Sequence, residues 1–161
     1  MFAKFAREKS VALYHMELAG ESADGLEVRA LKAPRFETRL RHIGLHFTDE
    51  ITEADVVVAT GLLTERSLTC VLDDLGRIPD SATLVAVGDK AVGHGALKAG
   101  GIGREITLPG VSFYTLSHYA HVQVSVPGNP PTPQAILAGI ETALKQATQP
   151  RGAIRFEDEE V

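Results

Sequence analysis

Asn129 stands in the stretch Val126-Pro-Gly-Asn-Pro-Pro-Thr-Pro133, which holds four of the chain's eight prolines. Proline fixes φ and carries no amide hydrogen, and Gly128 can take a backbone conformation closed to other residues, so one path is imposed here. Asn129 is therefore expected in a rigid turn. Such a turn can be a plain strand-to-helix connector or can present a side chain for binding. Other candidates for chemistry fall short on spacing. Gly88-Asp-Lys-Ala-Val-Gly-His-Gly95 is rich in small residues that would let backbone amides approach a phosphate. It matches neither G-x-G-x-x-G nor G-x-x-x-x-G-K-[ST], which argues against a nucleotide site. His118 and His121 are three apart, a ligand-like interval on a helix, but the chain there reads as extended and no carboxylate is near in sequence. His15, His42 and His46 fall in expected strands and read as structural histidines. No nucleophile elbow or metalloprotease helix is present.

Cys70 is the chain's one cysteine. That excludes an internal disulfide, and any multi-cysteine zinc or iron–sulfur site built by this chain alone. Cys70 lies beside an apolar helical stripe and reads as a small, half-buried packing residue.

The elements that must position these residues follow from hydrophobic patterning. Val11 to Leu18 is a short apolar run, read as a buried strand, followed by a loop of small and acidic residues from Ala19 to Gly25. A helix carrying Leu26, Val28, Ala30 and Leu31 should follow and end at Pro34. His42 to Phe47 alternates towards a second strand. Ala54-Asp-Val-Val-Val-Ala-Thr-Gly61 has the β-branched run of a strand covered on both faces, and Gly61 should turn the chain into a helix. Leu68, Val71, Leu72 and Leu75 give that helix its stripe, with Gly76 and Pro79 closing it. Ala82 to Val87 reads as a further buried strand. Gly100 to Gly103 and Pro109-Gly110 are turn signals. Val122 to Val126 alternates into the proline turn, where Thr132 can cap a last helix from Pro133 to about Ala147. Alternation of strand, loop and helix predicts an α/β fold: a three-layer, flavodoxin-like parallel sheet of about four strands with helices on both faces. In such sheets ligands bind at the carboxyl ends of the strands, where the loops should converge.

At 161 residues, 44% hydrophobic and 23% charged, the composition is that of one soluble globular domain. Boundaries are expected at 1–10 for an N-terminal segment, 11–149 for the domain and 150–161 for an acidic tail. The net charge is −5, and Glu157, Asp158, Glu159 and Glu160 supply four of the acids, which leaves the body nearly neutral. No basic stripe or aromatic-rich strand points to nucleic acid. No apolar run approaches the ~18 residues of a spanning helix, and no secretory signal is visible, so a cytoplasmic location is expected.

Three segments together carry a resemblance: Ala54-Asp-Val-Val-Val-Ala-Thr-Gly61, Leu84-Val-Ala-Val-Gly-Asp-Lys-Ala91 and Val126-Pro-Gly-Asn-Pro-Pro-Thr-Pro133. In this order they resemble the B subunit of NADH:quinone oxidoreductase, respiratory complex I, and equally the small subunit of membrane-bound nickel–iron hydrogenases. Ala33-Pro-Arg-Phe36 and Ala19-Gly20 followed by Leu26-Glu27 are similar to the hydrogenase-type version. The resemblance covers roughly residues 11 to 147. It implies a four-iron cluster held by four cysteines, two after the first strand, one after the fourth and one in the proline turn.

Every one of those cysteines is replaced. Asn129 stands where V-P-G-C-P-P-x-P has its cysteine, and Lys90 where G-x-C-A has its own. The best match of the first loop to A-G-C-x-x-C-x-I-E puts Glu21 and Asp24 at the other two positions; a one-residue gap would substitute Ser22 for Glu21. Two carboxylates, an ammonium and an amide do not replace thiolates around iron, so the cluster is expected to be absent, with no other cofactor or metal implied. By the resemblance, Glu21, Asp24, Lys90 and Asn129 should lie near one another, as a polar staple for the loops or as the lining of a proton or small-ligand site. The expected function is that of a cluster-less, structural or coupling subunit. It would bind a large-subunit homologue and associate peripherally with a membrane through its partners. The alternatives are a working redox subunit whose cofactor is shared with a partner, and a freestanding small-molecule-binding protein.

Overall fold

The fold is seen in a computed structural model, which describes residues 10–18, 23–92, 105–108, 111–128 and 130–147. Runs of β-branched residues set its centre. β1 (Val11–Glu17), β2 (Leu45–Phe47) and β3 (Val56–Thr60) are followed by a short β4 (Leu63–Thr64) and by β5 (Thr83–Val87). All five residues of β3 and of β5 are buried, as expected of strands covered on both faces. With β8 (Val124–Val126), four of these strands form a parallel sheet in the order β2-β1-β3-β5-β8. Counting only its own strands, that order is 2-1-3-4-5, the flavodoxin-like arrangement. The sheet has five strands where the sequence suggested about four.

Strand periodicity divides the core in two. Val11, Leu13, Val56, Val58, Val85, Val87 and Val126 face α1 (Ala23–Ala30), α2 (Pro34–His42) and the last helix, α5 (Pro133–Ala147). Met16, Val57, Ala59, Leu84 and Ala86 face α3 (Glu65–Arg77) and the short α4 (Asp89–Val92). This is the three-layer α/β architecture expected. On α5, Ile136, Leu137, Ile140, Ala143 and Leu144 are buried, and Thr132 caps it by accepting the Ala135 amide at 3.2 Å. A Cβ at Gly139 would strike Val126, so this glycine lets α5 close onto β8.

Several local expectations are corrected. Pro34 does not simply end a helix: α1 stops at Ala30, and Pro34 is in the first turn of α2, where a missing amide hydrogen is harmless. The highly charged α2 sequence shows only Phe36 and Leu40 on its buried side, a thin signal for a helix. His42 consequently ends α2, and β2 begins only at Leu45, after Gly44 at φ +80°. Leu26 of α1 is 57% exposed. Gly61, at φ +88°, leads first into β4. Thr64 then caps α3, accepting from the Ser67 amide while the Ser67 hydroxyl accepts from the Thr64 amide. On α3, Leu68, Val71 and Leu75 form one narrow seam; Cys70 and Leu72 lie one residue, about 100°, to either side of Val71 and are exposed.

A second sheet was not foreseen. β4 pairs antiparallel with β7 (Val111–Tyr114), and β7 with β6 (Glu105–Leu108). Leu108 opposes Val111; the Pro109-Gly110 turn signal lies outside the described residues. The N-terminal segment, the Gly100–Gly103 signal and the acidic tail also lie outside the described residues. Among the described residues, no helix is long and apolar enough to cross a membrane.

Candidate functional site

Glu17 pairs with Thr60, Thr60 with Val87, and Val87 with Val126, so β1, β3, β5 and β8 end level with one another. The segments that follow them leave from one rim of the sheet, the rim at which ligands of such folds bind. Lys90 is on this rim as the second residue of α4, and its side chain is exposed. Asp24 lies in the first turn of α1. Glu21 and Asn129 lie outside the described residues, as does the remainder of the glycine-rich loop beyond Val92.

The loop carrying Lys90 and the turn carrying Asn129 are fastened together by three hydrogen bonds. The Gly88 amide donates to the Val126 carbonyl at 2.8 Å, continuing the β5–β8 ladder past its last pair. The Asp89 amide donates to the Gly128 carbonyl at 2.9 Å, and the Gly128 amide donates to Asp89 Oδ1 at 2.8 Å. Gly88 and Gly128 have φ of +90° and +147°, which glycine adopts without a steric penalty. A Cβ at Gly128 would lie 2.7 Å from the Pro131 backbone. Gly128 is thus held by Asp89, and the space beside it is too narrow for a side chain; the rigid turn expected at Asn129 itself lies outside the described residues. Asp89 was missed by attention to its neighbour Lys90. The available signal was an acid directly after a strand-ending glycine, opening a helix whose first-turn amides favour negative charge.

Two polar pairs stand on the α1 side of the same rim. Arg29 Nη2 donates to both carboxylate oxygens of Glu17, at 2.8 and 2.9 Å, tying α1 to the end of β1. His15 Nε2 lies 2.8 Å from the hydroxyl of fully buried Thr60. Burial, with lesser contributions from nearby Lys32 and Arg29, pushes the His15 imidazole down to about 4, so it is neutral near pH 7. His15 is therefore the structural histidine expected. His46 is in β2, with Nδ1 2.6 Å from Ser10 Oγ. His118 is not in an extended segment: it ends a 3₁₀ turn, Leu116–His118, with its ring edge-on to Tyr119 at 4.9 Å. Among the described residues, no group of three or more histidine, cysteine, aspartate or glutamate side chains is placed to hold a metal ion.

No protein-family model matches the chain. It is 29% identical over 150 residues to protein MJ1363 of Methanocaldococcus jannaschii, covering 92% of this chain and 97% of that protein. It is 28% identical over 138 residues to the "Probable membrane-bound hydrogenase subunit mbhJ" of Pyrococcus furiosus, covering 86% of this chain and 76% of that one. Its fold is similar to that of a chain in the membrane-bound sulfane sulfur reductase, an archaeal respiratory membrane complex. The TM-score is 0.67 at 21% identity, with 89% of this chain and 73% of that chain covered. The chain is thus a homologue of the hydrogenase subunit mbhJ, consistent with the family of hydrogenase small subunits and complex I B subunits that its proline turn and Ala-Asp-Val strand resemble.

Proposed function

We propose that this chain is a subunit of an assembly built like a membrane-bound hydrogenase, in which it serves assembly or coupling and holds no four-iron cluster of its own. The observation that carries this reading is the donor chemistry at the rim. The position after β5 that would need a thiolate holds Lys90, an exposed ammonium that repels iron cations. The acid beside it, Asp89, has Oδ1 engaged with the Gly128 amide. The chain's one thiol, Cys70, is on the exposed side of α3 and stands at none of the four positions in question. Glu21, Asp24 and Asn129 complete a set in which no member is a thiolate. These residues do not fit a four-iron cluster.

The partner on this reading is a large-subunit homologue, since the relative mbhJ is named as a hydrogenase subunit. Association with a membrane would be peripheral and through further subunits. The experiment is affinity purification of the tagged chain from its own host in mild detergent. Recovery of a large-subunit homologue and integral membrane subunits is the expected outcome. A freestanding monomer that binds none of them would contradict the proposal.

A further inference from the structure

At the edge of the sheet opposite β8, the structure holds a cavity of about 480 Å³ between α2 and β2. Its floor is made by Leu31, Leu40 and Leu45, each buried, and one wall is the half-buried Phe47 ring. The volume lies within the range of small-molecule sites, and the lining is mixed, an apolar floor and wall with polar and charged side chains around them.

The charges at its mouth are not equivalent. Arg41 is paired with Glu37 one turn away on α2, so each neutralises the other. Lys32 has its Nζ 5.0 Å above the centre of the Phe47 ring, and among the described residues no carboxylate is within ion-pair distance of it. This exposed cation thus lies over the apolar wall at the mouth of the cavity. His46, at the same mouth, has Nδ1 engaged with Ser10 Oγ. Asp49 is the second acid on the lining.

We propose that this cavity binds a small amphiphilic carboxylate, with its hydrocarbon or aromatic part on the leucine floor and Phe47 and its carboxylate on Lys32. The site is separate from the loop rim and needs no residue there. Lys32 supplies a charge-assisted hydrogen bond at the one place where the apolar wall meets solvent. A neutral analogue would retain the floor contacts and lose this bond. A cationic analogue would meet Lys32 unfavourably, with only Asp49 to offset it.

The test is titration of the full chain, followed by backbone amide NMR, with three probes: 4-phenylbutyrate, 4-phenylbutan-1-ol and 4-phenylbutylamine. Saturable shifts of the Lys32, Leu45 and Phe47 amides are expected, tightest with the butyrate. Lys32→Gln, a change at an exposed side chain, should weaken the butyrate about fivefold and leave the alcohol within about twofold. Leu40→Met, a volume-conserving change in the floor, keeps the protein folded and should alter binding of the butyrate and the alcohol alike. Equal affinity for all three probes, tighter binding of the amine, no saturable shift, or butyrate binding untouched by Lys32→Gln would each overturn the proposal.

Discussion

Asp89 and Gly128 exchange two hydrogen bonds: the Asp89 amide donates to the Gly128 carbonyl at 2.9 Å, and the Gly128 amide donates to Asp89 Oδ1 at 2.8 Å. The pair joins the end of β5 to the proline turn after β8, the two places where the resemblance implies cluster cysteines. A protein-only contact thereby ties the start of α4, which carries Lys90, to Gly128.

Replacing Asp89 by alanine leaves the Gly128 amide without its acceptor in a part-buried setting. The expected loss is about 1–3 kcal/mol, read as a drop in Tm of several degrees. Asp89→Asn keeps an acceptor oxygen and should recover most of it. Lys90→Ala, at an exposed side chain, should stay within about 0.5 kcal/mol of the parent. If thermal melting showed Lys90→Ala to be the more damaging change, Lys90 and not Asp89 would be the staple.

Gly128→Ala places a Cβ 2.7 Å from the Pro131 backbone at a φ of +147°. Pro131 cannot easily give way, because it is buried between Pro130 and the start of α5. A destabilisation of about 1–3 kcal/mol in urea unfolding is expected. An unchanged midpoint would mean that the turn is not rigid.

His15 gives a signed pH dependence. Its pKa falls from 6.5 to about 4 on folding, so between those values the unfolded chain binds more protons than the folded one. The contribution of neutral His15 is complete above pH 6.5, and stability falls as pH drops towards 4, by about 2 kcal/mol at pH 5. His15→Gln, which can still hydrogen-bond to Thr60, should flatten this part of the profile. Parallel pH profiles for parent and variant would refute the assignment.

Leu26 is 57% exposed on α1, directly after the first loop. On the proposed function this is apolar surface for the large-subunit homologue to cover. Leu26→Glu should leave the urea midpoint within about 0.5 kcal/mol of the parent and weaken recovery of that partner several-fold. Equal recovery would place the interface elsewhere.

How much of this was legible in the sequence depends on the kind of signal. The continuous buried runs at Val56 and Thr83, and the capped stripe of α5, declared the central strands and last helix directly. They also ordered the loops along one rim, because parallel strands place their following loops together. The helix α2 escaped notice because its sequence is mainly charged and only Phe36 and Leu40 face the core. The β4-β7-β6 sheet escaped because β4 is two residues long and its partners come some fifty residues later, so local patterning could not reveal the pairing. Side-chain roles were harder still. Lys90 drew attention through its match to a cysteine position, whereas Asp89 owes its role to Gly128, 39 residues away, a proximity only the fold creates.

On the proposed function, the architecture of a cluster-binding subunit is retained here without cluster ligation. The most direct test is iron and sulfide analysis, with visible absorption, of the purified full chain after anaerobic reconstitution. No bound cluster and no iron–sulfur absorption are expected. A gain of both is expected in the variant carrying Glu21→Cys, Asp24→Cys, Lys90→Cys and Asn129→Cys. Near-stoichiometric four-iron loading of the unmodified chain would contradict the proposed function.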